Sequence, residues 1–262
     1  MEVLILDTPD AAAALTARVI AKALRDNPHL TLGLATGRTM ERVYRILVRL
    51  HREERLDFSL ACTFNLDEYI GIPPDSPNSY YRYMHEHLFD HINIPPRHVH
   101  LPNGMAADCA SECRQYESAV RNHGGIDLQL LGIGRSGHIG FNEPLSALYS
   151  RTREKALSPE TVAQNSRLFV GSEQMPRRAI TMGVGTILES RRCLLLATGA
   201  EKAGIIAKAV EGPITSMISA TALQLHAHCT VIVDEAAAAQ LQHADYYRWI
   251  YENEPDWDEF RS

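Results

Sequence analysis

A chain of 262 residues has room for one large or two small domains, and its 45% hydrophobic and 22% charged content is ordinary globular composition. The net charge of -6 argues against a general nucleic-acid binder, because phosphate neutralisation takes basic clusters, yet it leaves room for a local cationic pocket. The five cysteines suggest no disulfide framework, no basic-then-apolar leader opens the chain, and no apolar run nears the ~20 residues of a membrane span, so a soluble cytoplasmic protein is expected.

Residues 2–6 read as a short strand, and Asp7-Thr8-Pro9-Asp10 as turn and helix-cap chemistry. Leu15, Val19, Ile20 and Leu24 put one apolar side on a helix over 11–24. Residues 30–35 form a second strand pattern. The turn Thr36-Gly37-Arg38-Thr39 follows, and then a helix over 40–52. A strand, a Gly/Thr turn and a helix start make a ready anion site, since backbone N–H groups and the helix dipole both favour a phosphate. An ordinary capped turn accounts for that stretch equally well. The Gly-Lys-Ser/Thr ending of a P-loop is absent.

A third strand over 61–66 delivers Asp67-Glu68-Tyr69 to its carboxyl end, where ligands bind in open parallel sheets. An Asp with an ordinary pKa of ~3.9 is ionised at neutral pH and can act as a base. Ser79 caps a Tyr- and His-rich helix to about Phe89, whose aromatic face reads as packing. Residues 99–101 are a short strand and 108–122 a helix; Cys109 and Cys113 lie one turn apart on it.

The near-continuous apolar strand over 126–133 feeds the most distinctive stretch. It reads Gly132-Ile133-Gly134-Arg135-Ser136-Gly137-His138-Ile139-Gly140-Phe141-Asn142-Glu143-Pro144. Glycines allow close backbone approach to a ligand. His138 can carry a proton near neutrality, and Glu143 can orient it or take a proton itself. Residues 145–175 hold Arg151, Arg153, Lys155 and Arg167 with little periodicity, and read as a lid-like excursion or a solvated connector. Strands over 179–182, 193–198 and 229–233 follow, with helices over 183–188, 220–225 and 245–253. Gly199-Ala200-Glu201-Lys202 repeats the strand-to-helix anion design.

Alternating strands and helices imply an α/β fold: one three-layer α/β/α domain with a mostly parallel, Rossmann-like sheet. Taken as one crevice, Thr36, Gly37, Arg38, Thr39, Arg167 and Lys202 would hold a dianion such as a sugar phosphate. Asp67 supplies one proton-transfer station, and His138 with Glu143 a second. With no Cys-x-x-Cys or His-Glu-x-x-His pattern, no metal and no cofactor are expected. Two separated stations point to aldose–ketose chemistry: one opens a ring and the other moves a proton between carbons.

Over almost its whole length the chain resembles the glucosamine-6-phosphate deaminase family. The resemblance rests on Phe64-Asn65-Leu66-Asp67-Glu68-Tyr69, Asn78-Ser79-Tyr80-Tyr81, Glu112-Cys113-Arg114-Gln115-Tyr116-Glu117, Gly137 to Pro144, Ser150-Arg151-Thr152-Arg153 and Asn165-Ser166-Arg167. It implies conversion of glucosamine 6-phosphate and water to fructose 6-phosphate and ammonia. It implies that His138 opens the ring, oriented by Glu143, and that Asp67 moves the proton from C2 to C1. It makes the Thr36–Thr39 turn, Arg167 and Lys202 the phosphate grip. Ser136 stands where many relatives have Asp or Asn, and is a candidate helper in ring opening. Arg38 stands where some relatives have Gly or Ser.

Some relatives are hexamers activated by N-acetylglucosamine 6-phosphate at a basic cluster like Ser150 to Lys155. Here Ala156 takes the place of a Thr and Trp249 that of a Tyr, so weak or absent activation is expected, in a monomer or a homo-oligomer. A 6-phosphogluconolactonase would share the fold and the grip, but has no need of Asp67 as a carbon base. A sugar-phosphate-sensing regulator would need a DNA-binding extension, and no helix-turn-helix pattern is found. A non-catalytic binding protein gives no reason to keep Asp67, His138 and Glu143 together.

Overall fold

The computed structural model of the chain describes every residue except Val170, Ser172 and Ser262. Its elements are β1 (Glu2–Leu6), α1 (Pro9–Asp26), β2 (Thr31–Leu34), α2 (Arg38–Glu54), β3 (Cys62–Asn65), β4 (Asp67–Tyr69), α3 (Tyr80–His87), β5 (Val99–His100), α4 (Cys109–Asn122) and β6 (Leu128–Leu131). They continue with β7 (Arg153–Ala156), α5 (Pro159–Asn165), β8 (Arg178–Thr181), α6 (Val184–Leu188), β9 (Arg192–Ala197), α7 (Ala203–Glu211), β10 (Cys229–Asp234), α8 (Glu235–Ala238), α9 (Ala244–Asn253) and α10 (Asp258–Arg261).

Seven strands form one parallel sheet in the order β1-β10-β9-β6-β2-β3-β5, the middle layer of an α/β/α sandwich. Both faces are covered, so its strands are mostly apolar: Leu4, Leu32, Leu130, Leu194 and Ile232 are all buried. Each such side chain contributes about 1.5–3 kcal/mol by leaving water. Helix α1 starts where Thr8 accepts the Ala11 N–H at 3.1 Å and Pro9 sets the first turn. It then buries Leu15, Val19, Ile20 and Leu24.

The chain runs outward in opposite directions from the β2–β6 pair. From β2 it proceeds to β3 and β5; from β6 it proceeds to β9 and β10. That reversal opens a crevice at the carboxyl ends, the usual ligand position in such sheets. The four adjacent strands β9, β6, β2 and β3 lead into Gly199–Lys202, Gly132–Pro144, Thr36–Thr39 and Asp67 respectively.

A second sheet, antiparallel and ordered β4-β8-β7, stands beside the first. Leu66 joins the two: its N–H donates to Leu34 O at 3.0 Å, and its carbonyl accepts from Met182 at 2.7 Å. The small sheet corrects the reading of 145–175 as a segment without regular structure. Residues 153–156 are β7 and 159–165 are α5, although Val170 and Ser172 of that stretch lie outside the described residues. A four-residue strand reading Arg-Glu-Lys-Ala carries no apolar alternation, so its pairing with β8 was not visible in the sequence. The helix expected over 220–225 is a 3-10 helix over Ser219–Leu225.

Candidate active site

The turn before α2 has the geometry an anion needs. Gly37 sits at φ 118, which only glycine adopts readily, and its carbonyl accepts from the Tyr83 hydroxyl at 2.8 Å. No side chain caps α2, and the Gly37 carbonyl takes the Met40 N–H at 2.9 Å, so the N–H groups of Arg38 and Thr39 are the ones the helix start offers an anion. The Thr36 side chain acts on the Tyr80 hydroxyl, opposing the rise that burial gives its pKa. Tyr80 donates to the Tyr69 hydroxyl at 3.1 Å, and Asn165 donates to the same hydroxyl at 3.1 Å, which ties α3 to the end of α5.

Lys202 reaches across from the loop after β9, where its Nζ donates to Ile133 O at 2.7 Å. Burial depresses its pKa; Glu201 opposes that effect and the Arg135 charge adds to it. Arg135 was not singled out in the sequence, although it lies inside the glycine-rich run. Its charge stands near Lys202, so the two cations share one side of the crevice. Arg167 is exposed on the 3-10 turn after α5 and hydrogen-bonds neither to Lys202 nor to the Thr36 turn among the described residues.

The glycine-rich loop holds His138 against its own backbone. A Cβ on Gly134 would lie 2.1 Å from His138 Nε2, so only glycine leaves room for the ring. The Ser136 hydroxyl is 2.7 Å from Nδ1, and Glu143 Oε2 is 3.5 Å from the same nitrogen. Ser136 is therefore the direct partner and Glu143 the nearby charge. Glu143 is buried, which alone would raise its pKa. Its interactions with His138 and Thr161 and the Ser158 N–H outweigh burial and hold it down at about 2. Its Oε1 accepts from Ser158 N at 3.1 Å, and Ser158 caps α5. Fully buried Asn142 fixes the loop by donating to Ile139 O and Met182 O and accepting from Arg153.

Asp67 is reached by the same loop. A Cβ on Gly140 would lie 3.4 Å from Asp67 Oδ2, so the chain two residues after His138 passes directly over the carboxylate. Asp67 is only 6% exposed and takes no side-chain hydrogen bond among the described residues. Burial, helped by the Glu68 charge, pushes its pKa up to about 8. This corrects the expectation of an ordinary, fully ionised aspartate. Glu68 points elsewhere: it accepts the N–H groups of Tyr69, Tyr80 and Tyr81 at 2.9, 3.0 and 2.8 Å and so caps α3. Burial raises it to about 7 against the pull of those three bonds. The acid pair is thus a free carboxylate beside a structural one.

A family described as glucosamine-6-phosphate isomerases/6-phosphogluconolactonase matches residues 7–232. The chain belongs to that family. The glucosamine-6-phosphate deaminase of Hahella chejuensis is 50% identical over 250 residues, 95% of each chain. That of an Arthrobacter species is 48% identical over 257 residues, 98% of this chain and 99% of the relative. A solved structure described as a monomeric glucosamine-6-phosphate deaminase superposes with a TM-score of 0.89 at 45% identity, covering 92% of this chain and all of the other. The 6-phosphogluconolactonase of Trypanosoma brucei superposes at 0.72 with 22% identity, covering 92% of this chain and 98% of that one, and shows the shared fold alone. Among the described residues, no helix is long and apolar enough to cross a membrane.

Proposed function

We propose that the chain converts glucosamine 6-phosphate and water to fructose 6-phosphate and ammonia. One observation carries the reading: the loop that holds His138 packs over Asp67, while the uncapped α2 start lies at the end of the strand between theirs. A proton station for the ring, a second for the carbon and an anion turn then fit one extended hexose phosphate.

His138 passes a proton between the C1 hydroxyl and the ring oxygen, which opens the pyranose. Ser136 orients Nδ1, and Glu143 stabilises the imidazolium. The exposed aldehyde acidifies the C2 proton. Asp67 takes that proton, and the C1=C2 enolamine forms. The same carboxyl returns a proton to C1, leaving an imine at C2. Water adds there and ammonia leaves. Asp67 must be ionised for the first transfer. A protonated amine on C2 of the substrate supplies the positive charge that lowers its pKa on binding. Thr36 to Thr39, Arg38 among them, hold the phosphate with Lys202, and binding energy from that remote group orients the reacting carbons. The 145–175 excursion, anchored by Ser158 and Asn165 at both ends of the crevice, acts as a cover that brings Arg167 to the phosphate. The reading takes a sugar phosphate as the only partner, in the cytoplasm.

The test is release of ammonia from glucosamine 6-phosphate by the purified chain, with fructose 6-phosphate measured alongside. Equal amounts of both, lost in Asp67→Asn, are expected. Hydrolysis of 6-phosphogluconolactone without ammonia release would replace the reading with the family's other activity.

A further inference from the structure

On the face of the sheet covered by α4, three residues far apart in sequence meet. Cys62 begins β3, His100 ends β5 and His123 follows α4. The Cys62 sulfur and one nitrogen of each imidazole all lie within 4.8 Å of one another. Register makes the meeting: His100 pairs with Phe64, and Cys62 shares that face of β3 two residues earlier. The His100 ring stacks on Phe64 at 4.5 Å, nearly parallel, which fixes its plane.

Two details distinguish this group from aromatic packing. His123 Nδ1 lies 2.8 Å from the Ala119 carbonyl, which can only accept, so Nδ1 carries the hydrogen and Nε2 keeps its lone pair. A ligating histidine that donates its other N–H to a backbone carbonyl is the usual outer arrangement of a metal site. His100 Nε2 is buried and has no hydrogen-bond partner among the described residues. Such an orphan costs free energy unless something occupies it.

We propose that Cys62, His100 and His123 form a site for a borderline-soft transition-metal ion, zinc(II) in the first place, with a fourth position open to water. One thiolate and two imidazoles suit zinc and exclude calcium and magnesium, which take oxygen ligands. Ligand atoms of a tetrahedral zinc site stand roughly 3.3–3.7 Å apart, so closure needs about 1 Å of movement, which the exposed His123 can supply. The thiol proton leaves to solvent as the metal–sulfur bond forms. Cys62 lies five residues before Asp67, at most roughly 16 Å away, since the chain bends at Leu66. The ion is thus a clasp between β3, the edge strand β5 and the end of α4, and takes no part in the sugar chemistry.

Cobalt(II) titrated into the full metal-free chain is expected to form a one-to-one complex with tetrahedral visible absorption and a thiolate-to-cobalt charge-transfer band. Cys62→Ser should lose that band. His123→Ala, at an exposed position, should keep the fold and weaken binding about ten-fold or more. Zinc should displace cobalt and raise the Tm of the parent chain, and raise that of His123→Ala less. A charge-transfer band that survives in Cys62→Ser, or zinc stabilisation undiminished in His123→Ala, overturns the proposal, as does the absence of any one-to-one complex.

Discussion

Glu68 accepts three backbone N–H groups, one from Tyr69 in β4 and two from Tyr80 and Tyr81 at the start of α3, and its neighbour Asp67 accepts none among the described residues. Adjacent strand residues point to opposite faces, so one carboxylate builds the wall while the other faces the Gly140 turn. The proposed carbon base owes its freedom from hydrogen bonds to that alternation.

Asp67→Asn should remove at least ~10²-fold of kcat and leave substrate-analogue binding near the parent value. It should also stabilise the fold. The folded pKa of Asp67 is about 8, above the unfolded ~3.9, so the folded chain retains a proton that the unfolded chain has lost. Stability therefore falls as pH rises from about 4 through about 8. Asn carries no such charge. At pH 8 the variant should be more stable by up to about 5 kcal/mol, with the difference vanishing below pH ~4. Urea unfolding at several pH values reads this directly; a variant less stable at pH 8 would show that Asp67 is paired in the fold.

Glu143 has the opposite sign. Its folded pKa of about 2 lies below the unfolded ~4.3, so it contributes stability above about pH 4 that is lost as pH falls towards 2. Glu143→Gln should flatten that acid limb and lower kcat by roughly 10–100-fold. Ser136→Ala removes one hydrogen bond to Nδ1 and should lower kcat by roughly 3–10-fold, with KM little changed. Equal losses in the two variants would mean that hydroxyl and carboxylate act as one unit.

Lys202→Ala should mainly raise KM. Its ammonium is aimed across the crevice by the Ile133 carbonyl rather than at either proton station. A fall in kcat at unchanged KM would move the phosphate grip elsewhere.

Arg151 is held by Glu117 and by Glu189, each at 2.6 Å, within the same chain. A phosphate effector would have to displace two carboxylates to use it. Rates should stay hyperbolic and be unchanged by N-acetylglucosamine 6-phosphate. Glu117 also accepts from Thr152 and Thr186, so Glu117→Ala should destabilise the fold by about 2–4 kcal/mol, read as a lower urea midpoint.

The large sheet was legible because strands buried on both faces read as near-continuous apolar runs, as 126–133 and 229–233 do. The loops of the site were legible because glycine, threonine and histidine there answer to backbone geometry and proton chemistry. The small sheet was not. β4 and β7 are three and four residues long and rich in charge, and only pairing with β8 makes them strands. Nor could sequence separate Asp67 from Glu68, since the partners of Glu68 lie up to 13 residues on. The Cys62, His100 and His123 cluster depends on the β3–β5 register, which no local spacing encodes.

Leu66 belongs to both sheets through its two backbone hydrogen bonds. The turn proposed for the phosphate hangs from one sheet and Asp67 begins the other, so this single residue sets the gap between them. On the proposed reading, the fold works as a fixed ruler for chain length. An amino sugar one carbon shorter would anchor its phosphate normally and hold its acidic carbon out of reach of the carboxylate. It should bind as a competitive inhibitor and release no ammonia.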